Sequence, residues 1–316
     1  MGTLPTGGKI EIFLDKKVEN DGAKTLWWAL GKPLRKLKPG SVVSFSSSFF
    51  GHHRDPKHAS LTLKARVVEK TDQQILLDFN TSEEKLHQWL DQWGIIPLPP
   101  YIKRESVKPA AFSPDRDRYQ TVFAQERGSV AAPTAGLHFT DALLQQLKEQ
   151  EMRIQYVRLH VGSGTFLPVK KDDISQHTMH HETYHIPHET IEEILRAKKE
   201  NRPVIAVGTT SFRCLEDLYR RSSGEPAKML DLADKPGSTD LFIHPKTRLD
   251  TYKPWIIDGL MTNFHQPQST LLMLVASLIG LEKTMTLYRY AIENKLRFFS
   301  YGDTSLLWLK DAPRNL

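Results

Sequence analysis

The hydrophobic period of this chain changes at one proline-rich run, IIPLPPYI (residues 95–102), and that change limits what each side of it can fold into. Before it, KIEIFL (9–14), TLWWAL (25–30), SVVSF (41–45), LTLKARVVE (61–69) and QILLDF (74–79) alternate or run apolar over strand lengths, punctuated by Gly, Pro, Asp and Asn. Several short strands in succession predict a small barrel or sandwich. A helix is expected from Glu83 to Trp93, because Leu86, Trp89, Leu90 and Trp93 recur at spacings of three and four. The prolines of the run donate no ladder hydrogen bonds and restrict the residues before them, so the domain boundary is placed there. Residues 1–100 are read as a small β-rich, barrel-like domain and residues 101–316 as a large α/β domain.

Beyond the joint, helix and strand patterns alternate. Thr140 fits an N-cap, with Asp141 in the first turn of a helix that carries Leu143, Leu144 and Leu147. A strand is expected at IQYVRLHV (154–161), a helix from Glu189 to Glu200, a strand at PVIAVG (203–208) and a helix from Thr209. Later come a strand at IIDGLMT (256–262), a buried helix from Ser269 to Ile279 ended by Gly280, an amphipathic stretch from Met285 to Asn294, and two strands, LRFFS and SLLWL. The expected fold class is α/β: a small antiparallel β-barrel-like domain plus a larger α/β domain with a mixed sheet.

At 316 residues, with 39% hydrophobic and 25% charged residues and a mean hydropathy of −0.43, the chain can bury a core, which excludes a small scaffold and disorder throughout. The most apolar stretch, Leu271 to Leu281, falls short of the ~20 residues of a membrane-crossing helix. Met1 to Lys9 shows no secretory pattern, so the cytoplasm is the expected location. A single cysteine, Cys214, permits neither an internal disulfide nor a thiolate metal site. A net charge of +6 allows a polyanionic partner.

Several short patterns bear chemistry. His181-Glu-Thr-Tyr-His185 fits H-E-x-x-H, which holds zinc only on a helix, whereas Pro187 and the β-favouring Thr183 and Tyr184 predict an extended chain. There the two histidines stand about 13 Å apart at ~3.3 Å per residue, while His180 and Glu182 share a face as an acid/base pair. His160-Val-Gly-Ser-Gly164 lacks the third glycine of a dinucleotide finger and reads as a tight turn. GTTSFR (208–213) places hydroxyls and free N–H groups at a helix start, where a carboxylate, a phosphate or an ordinary cap fits. AAPTAGLHFT (131–140) gathers small residues around Thr134 and His138, TNFHQPQST (262–270) sets Asn263 and His265 between strand and helix, and RFFSYGD (297–303) sets aromatic rings beside Asp303. Basic clusters at 31–40, at 52–58 and near the joint are either solvated surface or a track for a phosphate backbone.

YQTVFA (119–124), AAPTAGLHFT, LHVGSGTFLPV (159–169), MHHE (179–182), AVGTTSFRCLE (206–216), DGLMTNFHQPQSTLLMLV (258–275) and RFFSYGD, in this order, resemble the S-adenosylmethionine:tRNA ribosyltransferase-isomerase family of queuosine biosynthesis, from Gly7 to about Leu307. The resemblance implies a small β-barrel with a larger α/β domain. It also implies transfer of the ribosyl part of S-adenosylmethionine onto 7-aminomethyl-7-deazaguanine at the wobble position of tRNA, giving epoxyqueuosine, adenine and methionine. S-adenosylmethionine is then a consumed co-substrate, with no cofactor and no metal; the partner is tRNA, there is no membrane, and the expected state is a monomer.

Carried onto this chain, the resemblance makes Glu182 with His180 the first candidate base, followed by His138 and His265. Asp303 is a candidate to stabilise the sulfonium or protonate adenine, and Phe298 and Tyr301 to stack on a base. Thr209, Thr210 and Arg213 are candidates for the methionine carboxylate, with Pro133, Thr134, Gly136, Gly162, Gly164 and Asn263 as further substrate-binding residues. Family members usually carry another segment before the position where TGGKIEIFL begins, which predicts an open edge on the barrel. The alternative function is a truncated, catalytically silent tRNA-binding relative, with an H-E-x-x-H zinc protease third.

Overall fold

Alternation in the first hundred residues puts Ile10, Ala29, Val43, Val67, Ile75 and Leu77 on one side of their strands, and all six are buried together. In the computed structural model, which describes residues 1–18, 24–50, 62–125, 128–129, 131–160, 182–245, 247 and 250–309, these strands are β1 (Gly2–Thr3), β2 (Lys9–Lys17), β3 (Leu26–Lys32), β4 (Val42–Ser46), β5 (Thr62–Lys70) and β6 (Ile75–Asp78). They close into an antiparallel barrel in the order β1-β2-β3-β6-β5-β4. The expected open edge is absent among the described residues. Thr3 of β1 pairs with Lys9 on one side and with Ser44 on the other, so a strand of two residues completes the ring.

Helix α1 (Glu83–Trp93) starts where the Ser82 hydroxyl accepts from the Lys85 N–H. It buries Leu86 in the barrel core and sets Trp89 edge-on to Phe45, ring centroids 6.0 Å apart. After the proline run the chain folds back: the Ala110 N–H donates to the Gly94 carbonyl over 2.7 Å, and Arg104 pairs with Asp115 at the start of α2 (Asp115–Arg118). The first compact unit therefore extends over Met1–Arg118, and the second is Tyr119–Leu316.

The second unit contains, in chain order, α3 (Asp141–Glu149), β7 (Arg158–His160), β8 (Glu182–His185), α4 (His188–Lys199), β9 (Ile205–Val207), α5 (Thr209–Ser222), α6 (Pro226–Asp231), β10 (Gly237–Thr239), β11 (Gly259–Asn263), α7 (Thr270–Ile279), α8 (Leu281–Glu293) and β12 (Thr304–Trp308). One sheet, β10-β8-β7, is antiparallel; the other, β12-β11-β9, is mixed, with β11 parallel to β9 and antiparallel to β12. Ala206, Leu260 and Leu307 of the mixed sheet join Phe212 and Leu215 of α5 and Leu274 of α7 in one buried core. The cap expected at Thr140 forms, and Ser269, read as the first helical residue, caps α7 in the same way: each hydroxyl accepts from the N–H three residues on.

Two expected strands differ. Of the described residues of IQYVRLHV, only Arg158–His160, which find partners on β8, are strand; Val161 lies outside the described residues. LRFFS is not a strand. Phe299 turns back at φ 72°, its N–H donates to the Phe264 carbonyl, and Asp303 accepts the Arg297 N–H over 2.7 Å. These local bonds satisfy the backbone that a sheet ladder would otherwise claim. No single helix among the described residues is long and apolar enough to cross a membrane.

Candidate active site

The carboxyl ends of β9 and β11 are where loops of an α/β sheet gather ligands. Leaving β9, the chain turns at Gly208, whose φ of +89° suits a residue without Cβ, and enters α5. Gly208 has no side chain to cap the helix, and the N–H groups of Thr209, Thr210 and Ser211 meet no acceptor among the described residues. That leaves a concentrated positive end.

Leaving β11, Asn263 is buried, and it collects two residues that precede it by more than a hundred positions. The Thr134 hydroxyl donates to its Oδ1 (3.3 Å), and its Nδ2 lies 3.1 Å from His138 Nε2. Both partners belong to the 3₁₀ turn Thr134–His138, which follows the exposed Pro133. Inside that turn Gly136 is tightly enclosed: a Cβ there stands 2.8 Å from both Phe123 and Thr121, so the space is filled by the protein itself. Across the sheet Asn263 pairs with Thr304, which brings the Arg297–Asp303 turn to the same end.

Electrostatics follow from these placements. Burial lowers the His138 pKa, against the opposing pull of the Asp303 carboxylate and with the help of Arg297. Asp303 is held below the usual carboxylate range by hydrogen bonds from the Arg297 N–H and guanidinium. Burial pushes His265 down to about 4; its Nε2 faces the Thr262 hydroxyl at 2.9 Å, and its N–H donates to the Tyr288 oxygen. Phe298 packs against Phe264 and Tyr288, and Tyr301 stands edge-on to Tyr119.

Glu182 opens β8 in the other sheet, nearly fully buried. Arg213, one turn into α5, donates to Glu182 Oε2 (2.9 Å) and to the Leu241 carbonyl (2.9 Å). Its Nη2 is buried with no partner among the described residues. Thr209 and Arg213 thus share a helix, but Arg213 is already committed to a carboxylate. Residues Glu182 to His185 form a strand, so the helix that an H-E-x-x-H zinc site requires is not there. Gly162, Gly164, His180 and His181 lie outside the described residues.

Sequence reasoning did not single out Arg297, Thr262 or Tyr288. Arg297 had a signal, because it opens the RFFSYGD run that ends in its partner Asp303. Thr262 and Tyr288 are drawn in by contacts with His265 that no local pattern announces.

Residues 1–307 match the model of the family described as "Queuosine biosynthesis protein". The S-adenosylmethionine:tRNA ribosyltransferase-isomerase of Dinoroseobacter shibae is 43% identical over 303 residues, covering 96% of this chain and 76% of that protein. Its namesake from Treponema denticola is 41% identical over 296 residues, 94% of this chain and 77% of that protein. A solved structure, the S-adenosylmethionine tRNA ribosyltransferase of Thermotoga maritima, is 26% identical over 96% of this chain and 77% of that one, with a TM-score of 0.43.

Proposed function

The chain belongs to the queuosine biosynthesis family, and from that premise we propose that it transfers and isomerises the ribosyl group of S-adenosylmethionine onto tRNA, releasing adenine and methionine. The acceptor is 7-aminomethyl-7-deazaguanine at the wobble position and the product is epoxyqueuosine. The observation that supports this reading at the level of the site is the convergence of His138, Asn263, the α5 start and the Arg297–Asp303 turn at one sheet end. A silent, RNA-binding relative is the less favoured reading, because these groups are set for proton transfer as well as for binding.

The sulfonium of S-adenosylmethionine acidifies the C–H bonds next to it. A base takes the 5′ proton and adenine departs; the amine of the RNA base attacks, and ring closure expels methionine. Glu182 is our candidate base: the Arg213 guanidinium, 2.9 Å from Oε2, holds its buried carboxylate in a fixed position. The idle Arg213 Nη2 and the open N–H groups of Thr209 and Thr210 suit the methionine carboxylate.

His138 takes the opposite part. The Asn263 amide nitrogen faces Nε2, which makes Nε2 the acceptor and leaves the proton on Nδ1. Nδ1–H then points a donor at the departing adenine, with Asp303 supplying negative charge near the sulfonium. Asn263 acts through His138 and Thr134 as a positioning residue. The chemistry consists of proton transfer and displacement, so the reading includes no resident metal or redox group; it places the enzyme in the cytoplasm as a monomer, with S-adenosylmethionine consumed as co-substrate. The test is incubation with S-adenosylmethionine and precursor tRNA. Equimolar adenine, methionine and epoxyqueuosine are expected, and their absence with well-folded protein sinks the proposal.

A further inference from the structure

The interior of the first unit is filled by Ile10, Val43, Val67, Ile75 and Leu77, so whatever this unit does beyond scaffolding it does with its surface. That surface is charged unevenly with respect to the rest of the chain. Lys plus Arg exceed Asp plus Glu by five in residues 1–118 and by one in residues 119–316.

Strand register gathers part of this charge into a row. Lys9 on β2 pairs with Thr3 on β1, Thr3 with Ser44 on β4, and Ser44 with Lys64 on β5. Four neighbouring strands thus present lysine, threonine, serine and lysine side by side on the outward face, across about 14 Å at ~4.8 Å per strand. The Lys9 ammonium lies over the Phe49 ring, 5.6 Å from its centroid, and Lys36 reaches the same edge, its Nζ 3.7 Å from where a Gly8 Cβ stands. Lys9, Lys36 and Lys64 are exposed and have no ion pair among the described residues. Basic residues on either side differ: Lys32 pairs across the ladder with Glu11, and Arg66 with Asp78. The acid-free row is therefore local.

We propose that this face of the barrel, centred on Lys9, Thr3, Ser44 and Lys64, docks the phosphate backbone of the RNA substrate. The inference rests on the functional reading above for the identity of its partner. Ammonium groups and hydroxyls side by side bind phosphates without reading sequence. An acidic protein or an anionic membrane surface is disfavoured, because the row is narrow and mixed with hydroxyls.

The test compares the full-length wild type with Lys9→Glu/Lys64→Glu, its neutral counterpart Lys9→Gln/Lys64→Gln, and Lys85→Glu on the exposed side of α1. Affinity for precursor tRNA is measured over a series of salt concentrations. Because two ammonium groups no longer neutralise phosphates, the charge-reversed variant binds about tenfold or more weaker at moderate salt, and its log–log salt slope is shallower by about one to two. The neutral variant falls between it and the wild type. KM for tRNA rises in step, while kcat and KM for S-adenosylmethionine stay as in the wild type. Lys85→Glu leaves tRNA affinity unchanged. Charge-reversed protein with wild-type affinity and slope, or an equal loss in Lys85→Glu, overturns the proposal. Circular dichroism and thermal unfolding verify that each variant is folded. Failure of the wild type to release adenine counts against the catalytic reading alone, since the binding series still decides the docking face.

Discussion

The two units bury different chemistry. In the first, Thr25 and Asp115 are the only buried polar side chains among the described residues, and the barrel core is hydrocarbon. In the second, Glu182, Arg213, Lys198, Glu216 and Asp258 all lie in the interior. Burying charge is costly unless each group is paired and hydrogen-bonded, and here each is: Arg213 to Glu182, Lys198 to Asp258, and Glu216 to the Tyr252 hydroxyl and to the Trp255 and Ile256 N–H groups. A barrel can be stabilised by area alone, whereas a unit that buries ionisable groups has to hold them in fixed, paired geometry.

The sharpest way to break this contrast is at Glu182. Glu182→Gln keeps the shape and removes the charge, and kcat is expected to fall about 10²–10⁴-fold. The uncompensated Arg213 also costs stability, up to about 3–5 kcal/mol, read as a lower midpoint in urea. Adding Arg213→Met restores the midpoint without restoring turnover; full turnover by Glu182→Gln removes it as the base. In the barrel the same size of stability loss carries no catalytic signature. Leu77→Ala is expected to cost about 2–5 kcal/mol while kcat of the folded fraction, measured below its melting range, stays at the wild-type value.

Next in size is Asn263. Asn263→Ala frees the His138 ring and is expected to lower kcat about 10²-fold with little change in KM for S-adenosylmethionine. Asn263→Asp offers no donor to Nε2 and adds a negative charge beside it, so the pKa of His138 rises and the corresponding limb of the pH–rate profile moves to higher pH. A profile unmoved by Asn263→Asp assigns Asn263 to packing alone.

The last effect, read in stability and only at acid pH, is at His265. Its folded pKa of about 4 lies below the ordinary imidazole value of about 6.5, so the unfolded chain takes up the proton first. Stability from this group is complete above about pH 6.5 and declines as the pH falls toward 4, by up to about 3 kcal/mol. His265→Gln flattens that part of the stability curve relative to the wild type. Parallel curves show that the ring is not held neutral.

Much of the architecture was legible where it depends on local pattern. The period of Leu86, Trp89, Leu90 and Trp93 marked α1 to the residue, and the β-rich alternation marked five barrel strands. β1 was not legible, because two residues acquire strand character only from partners on both sides. β10 went unread for the same reason: GST suggests a turn, and pairing with β8 makes it extended. LRFFS misled because aromatic and β-favouring residues suit a strand by propensity, while the bonds around Asp303 close a turn. Within the candidate site, the small-residue, histidine and Thr-Thr motifs stood out in the sequence. What joins them did not. Asn263 meets His138 across 125 positions and Arg213 meets Glu182 across 31, and no spacing rule predicts such meetings.

Helix α5 links these meetings. Arg213 ties it to β8, Asp217 takes the Tyr184 hydroxyl from the same strand, and Glu216 holds the backbone that leads into β11. The helix whose first turn we assign to the substrate carboxylate is thereby the keel to which both sheets of its unit are bolted. Its amide protons are expected to be among the last in the unit to exchange with solvent. Substitutions at Arg213, Glu216 and Asp217 are expected to combine non-additively, each altering what the others are worth.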